Sequence, residues 1–139
     1  EATKYEKNLS IGYLSVSGMS AVNAEHGYPV GDYLIRQLGH LLTRLTRGED
    51  LVARYVGDEF CVILPGTSSD RAQIVVKRLM NVIENTQFAI PGVMKAISIS
   101  VMAAASGMET GESAEGFIDR VRAHAGSYSK TRATARRIG

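Results

Sequence analysis

The string with the clearest chemical content is Arg54-Tyr55-Val56-Gly57-Asp58-Glu59-Phe60, which sets two adjacent carboxylates after a glycine. A tight turn that projected Asp58 and Glu59 into a cleft would offer oxygens to Mg²⁺ held against phosphates. The plain alternative is a pair of solvated turn residues, the usual fate of acids at a hairpin tip. Other chemistries find little support. Cys61 falls inside an apolar run and reads as a small buried hydrophobe rather than a nucleophile. His26 and His40 are too far apart for a helical metal pair, and no Ser–His–Asp arrangement is legible. Neither GxxxxGK nor GxGxxG is present.

Positioning that turn requires two strands, and the flanking residues predict them. LVARY (51–55) and FCVIL (60–64) are β-rich runs around a Gly-Asp pair, a hairpin signal because glycine accepts positive φ. Upstream, LSIGYLSV (9–16) reads as a strand closed by Gly18, and Met19–Glu25 as a short helix. After the HGYPVGD connection, Asp32 is the expected N-cap of a helix about three turns long. Its apolar face is Leu34, Leu38, Leu41, Leu42 and Leu45. Gly39 inside it suggests close packing. Ser69 or Asp70 is expected to cap a helix with Ala72, Val75, Val76, Leu79, Val82 and Ile83 inward. FAIPGV reads as a loop, 95–105 as a central strand, 106–116 as a loop, and about Phe117 to Tyr128 as a last helix. A basic tail carries Lys130, Arg132, Arg136 and Arg137 and reads as solvated.

The order βααββαβα predicts an α+β, ferredoxin-like or palm-type sandwich, a mostly antiparallel sheet with helices on one face. A short further strand at the tail fits the same logic. Length supports one domain, taken as residues 9–139 after a polar leader, 1–8. Glu1 is not a start methionine, so a fragment of a larger protein is expected. A single cysteine excludes a disulfide scaffold and argues against a zinc cluster. Sixteen Lys and Arg against fourteen Asp and Glu is too balanced for a duplex-DNA binder, so no DNA partner is expected. No apolar run approaches the roughly 20 residues that cross a bilayer. The domain is expected to be cytoplasmic without membrane contact, even where the whole protein is membrane-anchored.

Asn23, Gly31-Asp32, Arg47-x-x-Asp50, the VGDEF turn, Ser98-Ile99-Ser100 and Tyr128 occur in a telling order. Through them the chain resembles the GGDEF family, the diguanylate cyclases that condense two GTP into cyclic di-GMP. The resemblance runs from about Leu9 to Ile138 and is most specific at Asn23–Asp32 and Arg47–Phe60. It implies that Asn23 and Asp32 read the guanine edge, for which an amide and a carboxylate are suited. It implies that Asp58 is a Mg²⁺ ligand and Glu59 the catalytic carboxylate. Arg47 and Asp50 match the family's product-binding inhibitory RxxD pair, and Arg78 falls near a second product-binding arginine. An arginine fork can serve guanine O6 and N7 while aspartate accepts from the guanine N–H edge.

Departures from the family pattern bear on activity. Ser15 and Ser17 stand where active members carry two aspartates, the first of them a ligand to both metals. Val56 replaces the first glycine of the signature, where a β-branched side chain fills the space of an approaching phosphate. Ser20 and Thr131 stand at lysine places, and His124 at an aspartate place expected at a surface or interface. The expectation is a degenerate GGDEF domain that binds cyclic di-GMP or GTP as a regulatory module. No cofactor would be required, with Mg²⁺ entering only alongside GTP. An EAL phosphodiesterase domain is an expected neighbour and a homodimer an expected assembly. The alternatives are a weak but active diguanylate cyclase and a docking module that binds no nucleotide.

Overall fold

The computed structural model describes residues 9–55 and 57–125. β1 (Leu9–Ser17) is buried at every position from Ser10 to Leu14, as a strand covered on both faces must be. It lies between β3 (Glu59–Pro65) and β4 (Ser100–Gly107), antiparallel to both, and β2 (Leu51–Arg54) pairs with the far side of β3. In the order β2-β3-β1-β4, β1 and β2 run the same way with β3 between them, the split βαβ arrangement that the sequence predicts.

Residue alternation along the strands sends side chains into two cores. Leu14 and Val16 of β1, with Phe60, Val62 and Leu64 of β3, face the larger one. Over that face lie α1 (Met19–His26), α2 (Tyr28–Leu45) and α3 (Ser69–Glu84). Ile11, Tyr13 and Cys61 face the other way and meet Phe117 and Val121 of α4 (Ala114–Ala123). Helices therefore cover both faces rather than one. The helix after β4 carries its own apolar pair, and the first face is already filled. β1 and α3 approach closely at Gly12, where a Cβ would stand 2.5 Å from Val76 Cγ2.

Element ends differ from expectation where backbone chemistry outweighs side-chain caps. α2 begins at Tyr28 behind Gly27 and has 18 residues, about five turns, so Asp32 lies inside the helix and caps nothing. Pro29 explains the early start, because proline is pre-set for a first helical turn and gives up only a free N–H. Ser68, not Ser69 or Asp70, caps α3, its Oγ accepting from the Arg71 N–H at 3.3 Å. Met80 joins the inward face of α3, whereas Val75 and Val82 are half-buried. β4 starts only at Ser100. The chain before it returns from the Pro91-Gly92 turn to bridge Ile97 to Phe88. α4 starts at Ala114 behind Ser113, whose Oγ accepts from the Gly116 N–H at 3.0 Å, and ends at Ala123. Cys61 is buried and Gly39 backs onto the Phe60 ring, both as expected. The polar leader, Val56 and the basic tail lie outside the described residues. Among the described residues no helix is long and apolar enough to cross a membrane.

Candidate functional site

The hairpin forms in the register Leu51↔Ile63 to Arg54↔Phe60, and the chain turns through Gly57 at φ 51°. Tyr55 N–H donates to the Glu59 carbonyl at 2.8 Å, and Arg54 Nε donates to the Gly57 carbonyl at 2.6 Å. Val16 N–H donates to the Asp58 carbonyl at 3.0 Å and so fixes the turn against the end of β1. The two signature carboxylates are thereby separated. Asp58 stays in the turn, half-buried, its side chain without a hydrogen-bond or ion-pair partner among the described residues. Glu59 is the first residue of β3, opposite Ser15 in the ladder, and faces α4.

There Glu59 is engaged at both oxygens. Arg122, in the last turn of α4, brings Nε to 2.9 Å from Oε1 and Nη2 to 3.1 Å from Oε2. The Tyr13 hydroxyl donates to the same Oε1, and the Arg122 guanidinium lies 5.5 Å from the Tyr55 ring centre. Burial alone favours the neutral acid, yet the hydrogen bonds from Tyr13 and Arg122 outweigh it and hold Glu59 below its ordinary value. The carboxylate in turn raises Arg122. Burial, and then the hydrogen bond to Glu59, push the Tyr13 phenol up to about 12. Cys61, on the same face, is raised by burial and by the Glu59 charge.

The signs set a pH dependence. Tyr13 binds its proton more tightly folded than unfolded, so its stabilisation is complete below pH 10 and drains away toward pH 12. Glu59 contributes in the opposite sense: its stabilisation is lost as acid protonates it below its ordinary range. The urea midpoint of wild type minus that of Tyr13→Phe is expected to be positive and level from pH 7 to about 9. It should then shrink above about pH 10. A difference that stays level through pH 11 would show that the phenol does not hold Glu59.

Neither Tyr13 nor Arg122 was singled out from the sequence. Tyr13 had a signal, since it alternates with Ile11 and Ser15 on the strand face that Glu59 joins. Arg122 had none, because it meets Glu59 across 63 residues of chain.

Asn23 and Gly31 meet where α1 crosses α2. Asn23 Oδ1 is buried without a hydrogen-bond partner among the described residues and lies 2.0 Å from where a Gly31 Cβ would be. Only glycine admits the amide there. An unmet buried acceptor costs about 1–3 kcal/mol. Asp32 follows on the exposed side of α2.

Arg47 and Asp50 form a closed unit. Asp50 takes the Arg47 backbone N–H at 2.8 Å and Nη2 at 2.8 Å, with its side chain only 3% exposed. Arg47 Nη2 also donates to the Pro65 carbonyl at 3.0 Å and to Thr67 Oγ1 at 2.9 Å. Ser10 Oγ donates to the Thr67 carbonyl at 2.6 Å, tying this unit to the start of β1. Asp50 raises the Arg47 guanidinium, whose side chain remains 49% exposed. Arg78 lies exposed on α3 and makes no hydrogen bond or ion pair with this unit among the described residues.

A family model described as "Diguanylate cyclase, GGDEF domain" matches residues 1–132. The chain belongs to the GGDEF family. Diguanylate cyclase A of Treponema denticola is 27% identical over 115 residues, covering 83% of this chain and 31% of that protein. The chain thus spans less than a third of that relative's length. The GGDEF domain of DgcB from Caulobacter crescentus, solved in complex with c-di-GMP, superposes at TM-score 0.79 with 20% identity. That match covers 95% of this chain and 78% of the other. An EAL/GGDEF domain protein from M. capsulatus gives TM-score 0.76 at 22% identity, over 94% of this chain and 87% of the other. The antiparallel sheet flanked by helices is the GGDEF palm-type fold, and the domain is related to diguanylate cyclases of cyclic di-GMP signalling.

Family chemistry implies Mg²⁺ at the signature turn, and the residues of this GGDEF domain do not fit it. Ser15 and Ser17 supply neutral hydroxyls, and both Glu59 oxygens are engaged by Arg122 and Tyr13. Among the described residues Asp58 is the one signature carboxylate left open, and no three acids, imidazoles or thiols converge. His124, at the aspartate place, is exposed, and its Nδ1 meets the Arg120 carbonyl at 2.8 Å. Tyr128, Lys130, Thr131 and Arg132 lie outside the described residues.

Proposed function

We propose that this GGDEF domain is catalytically degenerate and serves as a regulatory or receptor module in cyclic di-GMP signalling. Its ligand is cyclic di-GMP at Arg47, Asp50 and Arg78, or a guanine nucleotide held through Asn23 and Asp32. The observation that carries this reading is the contrast between two ends of the hairpin. At one end Arg47 is braced by Asp50, Pro65 and Thr67 while half its side chain faces outward. At the other end Glu59 is consumed by internal contacts. Among the described residues Nη1 meets only exposed Glu49, at 3.5 Å, so the donors of that nitrogen can turn to a ligand while the rest of the guanidinium is held. Asn23 and Asp32 retain the amide and the carboxylate that suit a guanine edge, which supports the guanine subsite.

The c-di-GMP complex of the Caulobacter relative supports the choice of ligand, and the M. capsulatus relative supports an EAL neighbour. In a larger protein the ligand would shift a neighbour's equilibrium by its differential affinity for two states. A homodimer is a compatible assembly.

Calorimetry with cyclic di-GMP and GTP side by side tests the receptor half. Binding of at least one nucleotide is expected, and a flat trace with both removes it. Incubation with GTP and Mg²⁺ or Mn²⁺ tests the other half. No cyclic di-GMP is expected, and product that vanishes in Asp58→Ala restores an active cyclase.

A further inference from the structure

We propose that Arg122 is the resident counter-ion of Glu59 and closes this carboxylate of the signature to metal. A carboxylate has about four lone-pair positions. Here Oε1 receives the Tyr13 hydroxyl and Arg122 Nε, and Oε2 receives Arg122 Nη2. A planar guanidinium matches a carboxylate edge to edge, so both oxygens face the arginine. The guanidinium is itself held in place by the Tyr55 ring at 5.5 Å. A metal ion arriving beside Glu59 would have to displace this fork or sit against its positive charge.

This assignment deepens the degenerate half of the reading above. In addition to the serines at the end of β1, one of the two remaining signature acids is neutralised from within the chain. It is independent of the receptor half, because Arg122 and the Arg47 unit share no contact among the described residues.

Mn²⁺ alone, titrated without nucleotide and followed by the loss of the free-ion electron paramagnetic signal, tests it. Wild type is expected to bind weakly, at the level of an Arg122→Gln/Glu59→Gln double variant. Arg122→Gln is expected to bind at least about tenfold more tightly, because it frees both oxygens of the Glu59 carboxylate. Equal affinity in wild type and Arg122→Gln would overturn the proposal, as would a gain that survives Glu59→Gln. Should Arg122→Gln fail to fold by thermal melting, Arg122→Lys and Tyr13→Phe loosen the same carboxylate. Each is then expected to raise Mn²⁺ affinity about two- to threefold, and no rise in either overturns the proposal. Loss of cyclic di-GMP binding alone would leave this result standing, so the two readings fail separately.

Discussion

Arg47→Ala is expected to weaken cyclic di-GMP binding by roughly 100-fold, which calorimetry reads directly. A charge-assisted bidentate contact to a guanine edge is worth about 1–3 kcal/mol, and each 1.4 kcal/mol is tenfold. The alanine also removes the brace on Asp50, a side chain only 3% exposed. That carboxylate would keep the residue-47 backbone N–H and lose the guanidinium, so stability should fall by about 1–3 kcal/mol. Arg47→Lys separates the two effects. It retains the charge and loses the fork, and binding about tenfold weaker is expected with most of the stability retained. Wild-type binding accompanied by an Arg47→Ala affinity within threefold of it would remove Arg47 from the ligand site.

The second large effect concerns the fold that holds both sites. Gly12→Val places a branched side chain where a Cβ alone would lie 2.5 Å from Val76 Cγ2, in the middle of the β1–α3 contact. Valine prefers strands to glycine by up to about 1 kcal/mol, which opposes the damage. Overpacking a tight core costs typically about 1–3 kcal/mol and sometimes more, and here the obstacle is a buried branched residue on a helix. The clash wins. A net loss of about 2–3 kcal/mol is expected, lowering Tm by roughly 10 °C. Val76→Ala in the same chain should restore part of it, because residues in contact are energetically coupled. A Gly12→Val Tm within about 2 °C of wild type would mean that α3 moves aside freely.

Much of this architecture was legible because it depends on local pattern. The β-rich runs on either side of Gly57-Asp58 form a hairpin, and the leucine spacing from Leu34 to Leu42 buries one helical face. What could not be read depends on long-range pairing or on backbone geometry. The start of α2 was hidden because Gly27 and Pro29 set it without a side-chain cap. Placement of α4 on the opposite face follows from Phe117 and Val121 meeting Ile11 and Tyr13, contacts that cross most of the chain. The candidate site shows the same division. Arg47 and Asp50, three residues apart, were recognisable as a pair and are one. Asp58 and Glu59 also read as a pair, yet strand alternation assigns Glu59 to the α4 face. No local rule says that an arginine 63 residues away will receive it.

The seven residues of β3 begin at Glu59 and end at Pro65, whose carbonyl receives Arg47. At about 3.4 Å per residue, the two ends of this strut stand roughly 20 Å apart. A visitor seated beside Arg47 therefore leaves the turn sterically untouched. Any message between the two ends has to travel as strain through a stiff, hydrogen-bonded beam rather than by touch.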